Sequence, residues 1–270
     1  HLILDGTVPS ETTLGIVGVG MVGSKIESLA KALGFKVLLN DPPRARREGA
    51  DKFCSLDYLL SNSDIVTFHT PLIRQGEDAT FHLMDESKLA LLKKGAVVIN
   101  SSRGEVCETR AMLKGLDNGQ ISRLVLDVWE NEPNIDSKLH NKVWIGTPHI
   151  AGYSVDGKSN GSTMTIHAIA REFGLPLQDW QPTSLPVPDY PFIHLDNNSE
   201  PAYLTAAKAI LRTYDILEDD KRLREDPEDF EKQRGSYPVR REFHIWEITP
   251  SRATRPETIE MLMALGFRVK

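Results

Sequence analysis

The chain has 270 residues, 40% hydrophobic and 26% charged, with a formal net charge of −6. That is an ordinary globular composition, long enough for one large or two medium domains, and its negative balance offers no general basic field for nucleic acid. Apolar runs such as residues 96–99 are far too short to span a bilayer, no secretory signal is visible, and Cys54 and Cys107 show neither disulfide-framework nor metal-ligand spacing, so a cytoplasmic protein is expected.

Residues 1–13, opening on His1, read as the remnant of a preceding segment, in which residues 2–5 could form a stray strand. Residues 14–17 are a short apolar run suited to a buried parallel strand. Gly18, Gly20 and Gly23 follow at once. The first permits a tight turn, the second lets backbone approach a pyrophosphate, and the third allows close packing of helix on strand. Val22, Ile26, Leu29 and Leu33 then recur at helical spacing, and Gly34 fits the stop. Residues 35–39 read as a second strand ending at Asn40-Asp41. Asp41 stands 18 positions beyond Gly23, where a carboxylate accepts hydrogen bonds from the adenosine ribose and repels a 2′-phosphate, favouring NAD over NADP. Arg44, Arg46 and Arg47 pull against that preference. The competing reading is a bare strand-to-helix turn, but the strand before, the helix after and the acid at the strand end all agree on a dinucleotide.

The alternation continues with helix at 56–60, strand at 65–68, helix at 87–92, strand at 96–99, helix at 109–118, and strands at 124–126 and 143–145. Strands separated by helices imply an α/β fold, a doubly wound parallel sheet of Rossmann type with right-handed crossovers. Ligands in such sheets lie beyond the carboxyl ends of the strands. Here those ends carry Gly18, Asp41, Thr70, Asn100 to Arg103, Asp127 and Thr147 to His149.

Oxidising a 2-hydroxy acid requires a cation for the carboxylate, a base for the hydroxyl proton and a nicotinamide facing the carbinol hydrogen. Arg103 can hold a carboxylate through two parallel hydrogen bonds, and Gly104 beside it would let backbone approach the ligand. His149 is the base candidate, because imidazole titrates near neutral pH. Glu132 could accept from the other ring nitrogen and stabilise the imidazolium. The bland alternatives are a surface arginine, a satisfied structural histidine, and a solvated carboxylate in an acidic loop, with Glu130 its solvent-facing neighbour. His69 and His82 read as structural, and Cys107 as an inert thiol rather than a redox group.

The strings Gly18 to Gly23, Asn100 to Gly104, Asp127 to Pro133 and Pro148 to Tyr153 together resemble the D-isomer-specific 2-hydroxyacid dehydrogenases over roughly residues 12–174. The resemblance implies that Arg103 binds substrate, that Glu132 is the acid partner of His149, and that His149 is the proton donor and acceptor. It also implies that Gly18, Gly20, Met21, Val22, Gly23, Asp41, Thr70, Asp127 and Gly152 line an NAD site. The strings 41–45, 67–72 and 149–154 resemble most closely a branch acting on a phosphorylated four-carbon hydroxy acid in pyridoxal phosphate biosynthesis. In that branch Tyr153 would touch substrate; otherwise it is a packing aromatic. Two other readings stand beside this one: a glycerate or phosphoglycerate type of dehydrogenase, and a non-catalytic, NAD-sensing corepressor-like protein. The family carries about a hundred residues ahead of the glycine loop, a domain-sized piece, so truncation is the expected reason for the short lead here.

Beyond the dinucleotide-binding residues 14–153, residues 154–173 read as helix and 175–191 as a proline-rich linker, giving a connecting segment over 154–185. Residues 186–270 read as a smaller α+β domain with strands at 192–195 and 242–248 and helices at 202–217 and 256–265, closed by Gly266. The resemblance implies homodimerisation through that domain. The acidic runs at 218–220 and 225–231 read as solvated helix and loop, not as a metal site, and membrane and nucleic-acid partners are not expected.

Overall fold

Strand β1 (Thr13–Val17) lies between its two neighbours, pairing in parallel with β2 (Lys36–Asn40) and with β3 (Ile65–Phe68). The run continues through β4 (Ala96–Asn100), β5 (Ile121–Leu126) and β6 (Ile145–Gly146), all parallel, in the order β2-β1-β3-β4-β5-β6. Apolar residues fill β1, β3 and β4 at nearly every position because helices cover both faces of the sheet, so alternation would expose nothing useful. The strand order reverses between β1 and β3, and a parallel sheet opens its ligand crevice at such a point.

The computed structural model describes residues 1–196 and 200–270 and resolves into two compact units. The first holds the six-stranded sheet and comprises His1–His149 with Asp215–Gly235. Its main core, from Val17 and Phe68 to Met112 and Leu124, also takes in Leu223 and Phe230 from the returning segment. Residues 215–235, expected with the carboxyl-terminal domain, thus pack with the sheet. The acidic residues there are only partly solvated: Glu218, Glu225, Asp226, Glu228 and Glu231 are exposed as expected, but Asp219 is 1% and Asp220 8% exposed, and each pairs with an arginine one turn on, Arg222 and Arg224 respectively. Residues 2–5 form turns rather than a strand.

The second unit comprises Ile150–Tyr214 and Ser236–Lys270. It opens with a helix over Val155–Phe173, capped by the Ser154 hydroxyl and ended by Gly174 in the left-handed region. Its sheet is β7 (Phe192–His194), β8 (Glu247–Thr249) and β9 (Arg268–Val269), parallel and in that order. Helices Ala202–Thr213 and Pro256–Ala264 pack together, with Ala206, Ala209 and Leu262 buried. The strand expected over 242–248 is shorter. Phe243–Ile245 form a 3-10 turn, because half-buried Phe243 stacks on Phe267 at 4.6 Å while Trp246, three residues on, is buried. A spacing of three suits that turn and not a pleat. Asp156 and Arg241, 7% and 4% exposed, form an ion pair at 2.9 Å.

Among the described residues no helix is long and apolar enough to cross a membrane, and no cluster of His, Cys, Asp or Glu has the grouping of a metal site.

Candidate active site

The glycine loop leaves β1 and enters the helix Met21–Leu33. Gly18 has φ of +85°, and a side chain there would strike the carbonyl of His69 at 2.8 Å. Gly23 lies so close to the Gly18 carbonyl that any Cβ would collide with it. The loop and helix are therefore folded onto one another in a way only glycine permits. Gly20 is the N-cap and gives no side-chain cap, so the first amides of the helix are open to an anion. Space over Gly20 is clear, and Met21 and Val22 are exposed beside it.

Asp41 ends β2. One carboxylate oxygen accepts the Val19 amide at 2.8 Å and the other accepts the Arg44 amide at 2.9 Å. The acid thus ties the glycine loop to the strand end, and each oxygen keeps a lone pair for a ribose hydroxyl. The three nearby arginines are neutralised. Arg44 grips Glu48 at 2.6 Å and donates to the Val19 carbonyl at 2.5 Å, Arg46 pairs with Glu77 and Asp78, and Arg47 pairs with Glu48. The hydrogen bonds from Arg44, and then from Arg47, hold the Glu48 carboxyl down to about 2. At the end of β3 the Thr70 hydroxyl is buried without a partner among the described residues. An uncapped helix start, a carboxylate at the second strand end and an orphaned hydroxyl at the third fit a dinucleotide. His69 contacts the Thr67 hydroxyl at 2.9 Å, and burial pushes its imidazole down to about 4, so it stays neutral and structural.

Asn100, buried at the end of β4, organises the next loop. Its amide oxygen accepts from the Ser102 amide and hydroxyl, and its NH2 donates to the Arg103 carbonyl at 2.9 Å. Arg103 is presented at the surface, with Nη1 on the Ser102 carbonyl at 2.6 Å and no carboxylate partner among the described residues. Gly104 also has a packing role. A Cβ there would strike the Trp129 carbonyl, so the glycine lets the Arg103 loop lie on the 127–133 loop.

That second loop leaves β5. Asp127, 6% exposed, accepts the Thr147 hydroxyl at 2.6 Å, and its carbonyl accepts the His149 amide at 2.7 Å. Glu132 divides its oxygens, one accepting the Trp129 amide at 2.8 Å and the other meeting Nδ1 of His149 at 2.7 Å. The carboxylate fixes the ring orientation and leaves Nε2 for proton transfer. His149 itself has φ of +55°, an uncommon conformation for a non-glycine residue. Glu130 is not the solvent-facing neighbour expected of it. It bonds Nε2 of His82 at 2.7 Å and the Thr109 amide at 2.7 Å. Burial pushes its carboxyl up, but Thr109 and His82 outweigh that and leave it below the usual range.

Gly152 and Tyr153 fall in the second unit, where the Tyr153 ring meets Tyr237 edge-on at 5.9 Å and Lys158 lies 4.1 Å over its face. Cys107 is fully buried, which raises its thiol far above the usual value, so it is inert as read. Sequence reasoning missed Asn100 as the loop organiser and Arg234, whose Nε donates to the His149 carbonyl at 3.3 Å. Only the strand-end position of Asn100 hinted at its part.

The family model for the NAD binding domain of D-isomer specific 2-hydroxyacid dehydrogenases matches residues 3–151, and that for a domain of unknown function (DUF3410) matches 184–266. The chain belongs to the D-isomer-specific 2-hydroxyacid dehydrogenase family, and its first unit is an NAD-binding domain. Its relatives include the erythronate-4-phosphate dehydrogenase of Bacteroides thetaiotaomicron, 46% identical over 89% of this chain and 66% of the relative. That of Proteus mirabilis is 42% identical over 97% of this chain and 70% of the relative. The chain thus spans about two thirds of the length of the curated relatives it matches, 66% of the first. Among solved structures, the D-lactate dehydrogenase of Aquifex aeolicus complexed with NAD and lactic acid matches with a TM-score of 0.53 and 27% identity, over 67% of this chain and 60% of that one. The apo D-mandelate dehydrogenase of Rhodotorula graminis matches with a TM-score of 0.55 and 29% identity, over 68% and 56%.

Proposed function

We propose that the protein oxidises 4-phospho-D-erythronate to 2-oxo-3-hydroxy-4-phosphobutanoate with NAD, as a cytoplasmic enzyme of pyridoxal phosphate biosynthesis. The observation that carries the chemistry is the 2.7 Å contact between His149 Nδ1 and Glu132 at the strand ends of an NAD-binding sheet. The particular substrate rests on relatives of 40–46% identity that carry the erythronate-4-phosphate dehydrogenase name.

Bound NAD supplies the hydride acceptor. Arg103, exposed and without a carboxylate partner among the described residues, takes the substrate carboxylate through paired hydrogen bonds and fixes the carbinol carbon. His149 Nε2 accepts the hydroxyl proton as the C2–H bond gives up its electron pair, and the C2–O bond becomes a carbonyl. The Glu132 carboxylate stabilises the imidazolium so formed. Asp41 selects the unphosphorylated ribose, since its charge opposes a 2′-phosphate and Arg44, Arg46 and Arg47 are already paired. Tyr153 is a substrate contact, Gly152 belongs to the cofactor site, and residues 186–270 mediate homodimerisation.

The test is NADH formation by the purified protein with 4-phosphoerythronate, D-glycerate, 3-phosphoglycerate and D-lactate as competing substrates. Preference for 4-phosphoerythronate supports the assignment. Preference for another acid moves the chain to a different branch, and NAD binding without turnover of any of them, both by this chain and by a form extended ahead of residue 1, makes it a sensor. Light scattering of the eluted protein reads the oligomer, and a monomer removes the dimerisation role.

A further inference from the structure

β6 is the edge strand of the sheet, and its free amide at Gly146 is taken by a carboxylate from far along the chain. Asp220, on the helix Leu217–Glu225, accepts it at 2.7 Å. Arg224 holds Asp220 at 2.8 and 2.9 Å and donates to the carbonyls of His140 and Val143 at 3.2 and 3.0 Å. Leu223 and Phe230, both fully buried, plug the same segment into the core of the sheet unit. The segment is therefore a fixed strap along the β6 edge.

Three residues beyond Gly146 the chain reaches His149, and the strap meets it again. Arg234, on the helix Phe230–Gly235, donates Nε–H to the His149 carbonyl at 3.3 Å, while Glu231 holds its Nη1 at 3.0 Å. A non-glycine residue at φ of +55° persists only where its surroundings over-determine it. Here the amide is held by the Asp127 carbonyl, the ring by Glu132 and the carbonyl by Arg234. Two of these restraints come from the 127–133 loop. The third comes from the strap, where of the two family models only that of a domain of unknown function matches.

We infer that Arg234 is a positioning residue for the His149 imidazole, so that the region of unassigned role supplies part of the dehydrogenase site through residues 215–235. This rests on His149 being the proton acceptor. Losing the Arg234 bond frees the backbone of a strained residue, and the ring turns with it away from Glu132. A misplacement of about 1 Å in a reacting group costs on the order of 10²-fold in rate.

Three variants of the protein test the inference. Arg234→Met keeps the aliphatic stem and removes the donor, Arg234→Lys keeps the charge, and Glu231→Gln, at an exposed position, loosens Arg234 without disturbing the core. Arg234→Met is expected to lower kcat about 10-fold or more with KM for NAD within about 2-fold, and Glu231→Gln to lower kcat about 2- to 3-fold. Arg234→Lys should recover part of the loss. In nitrogen-15 histidine spectra, the downfield Nδ1–H resonance of the His149–Glu132 bond should be present in the parent and broadened or lost in Arg234→Met. Parental kcat together with an unaltered resonance in Arg234→Met overturns the inference. Should that variant fail to fold, an unchanged kcat and resonance in Glu231→Gln overturns it instead. Where neither this chain nor a form extended ahead of residue 1 turns over any hydroxy acid, the dehydrogenase reading falls, while the resonance alone still decides whether Arg234 positions the ring.

Discussion

Glu130 and His82, 48 residues apart, meet at 2.7 Å, and the same carboxylate takes the Thr109 amide with its other oxygen. The pair ties the chain around residue 82 to the loop that presents Glu132. Glu130→Ala would leave a half-buried imidazole and a backbone amide without partners. The expected cost is about 2–4 kcal/mol of folding stability, from hydrogen bonds to a charged group and the desolvation of what remains. Urea unfolding of parent and variant measures it; a loss under about 0.5 kcal/mol, the surface-mutation range, would show that the clamp does not contribute.

His69 sets a pH dependence of stability. Burial lowers its folded value from 6.5 to about 4. The unfolded chain therefore binds a proton that the folded one refuses between those values, and stability falls as pH drops through that window. The His69 contribution should fall by about 2 kcal/mol between pH 7 and pH 5. His69→Gln, which cannot titrate, should lose correspondingly less over the same interval. Parallel urea curves for parent and variant at both pH values would contradict the assignment.

Two substitutions separate binding from chemistry. His149→Gln removes the proton acceptor, and kcat should fall by about 10²- to 10⁴-fold with NAD affinity unchanged. Arg103→Lys keeps the charge but loses the paired geometry, so KM for the hydroxy acid should rise by on the order of 10-fold or more. Steady-state kinetics and NAD titration by protein fluorescence read both. An unchanged kcat in His149→Gln would end its role as base.

Asp41→Ser removes a ribose acceptor and a negative charge. NAD binding should weaken by roughly 10-fold, and the preference over NADP should narrow, because the repulsion of a 2′-phosphate is gone. Titrating both cofactors into parent and variant checks the sign. An undiminished preference for NAD would place discrimination elsewhere.

The sheet was legible because its strands announce themselves in two ways: short apolar runs, and the proposed site residues at their carboxyl ends. Gly18, Asp41, Thr70, Arg103, Asp127 and His149 all stand within a few residues of a strand end. That Glu132 could accept from His149 followed from residue chemistry and the family resemblance, and the structure supplies the contact itself. What stayed hidden depended on long-range packing. Glu130 looked like a solvated acid because sequence does not show that His82 and the Thr109 amide converge on it. The run around Asp219 and Asp220 looked solvated because charges dominate it, although Leu223 and Phe230 are the buried positions that anchor it. The packing of Gly104 on the Trp129 carbonyl was likewise invisible in the sequence. The strand expected at 242–248 begins only at Glu247 because the spacing of Phe243 and Trp246 obeys a turn rather than a pleat.

The strap has a consequence for how the molecule is made. Its anchor on the histidine turn lies 85 residues downstream of it. A nascent chain emerging from the ribosome completes the six-strand sheet long before Arg234 is synthesised, so the histidine turn must wait for its last restraint. For the same reason a splice at residue 150, the obvious junction for swapping nucleotide-binding modules between relatives, would carry the sheet away from its own fastening.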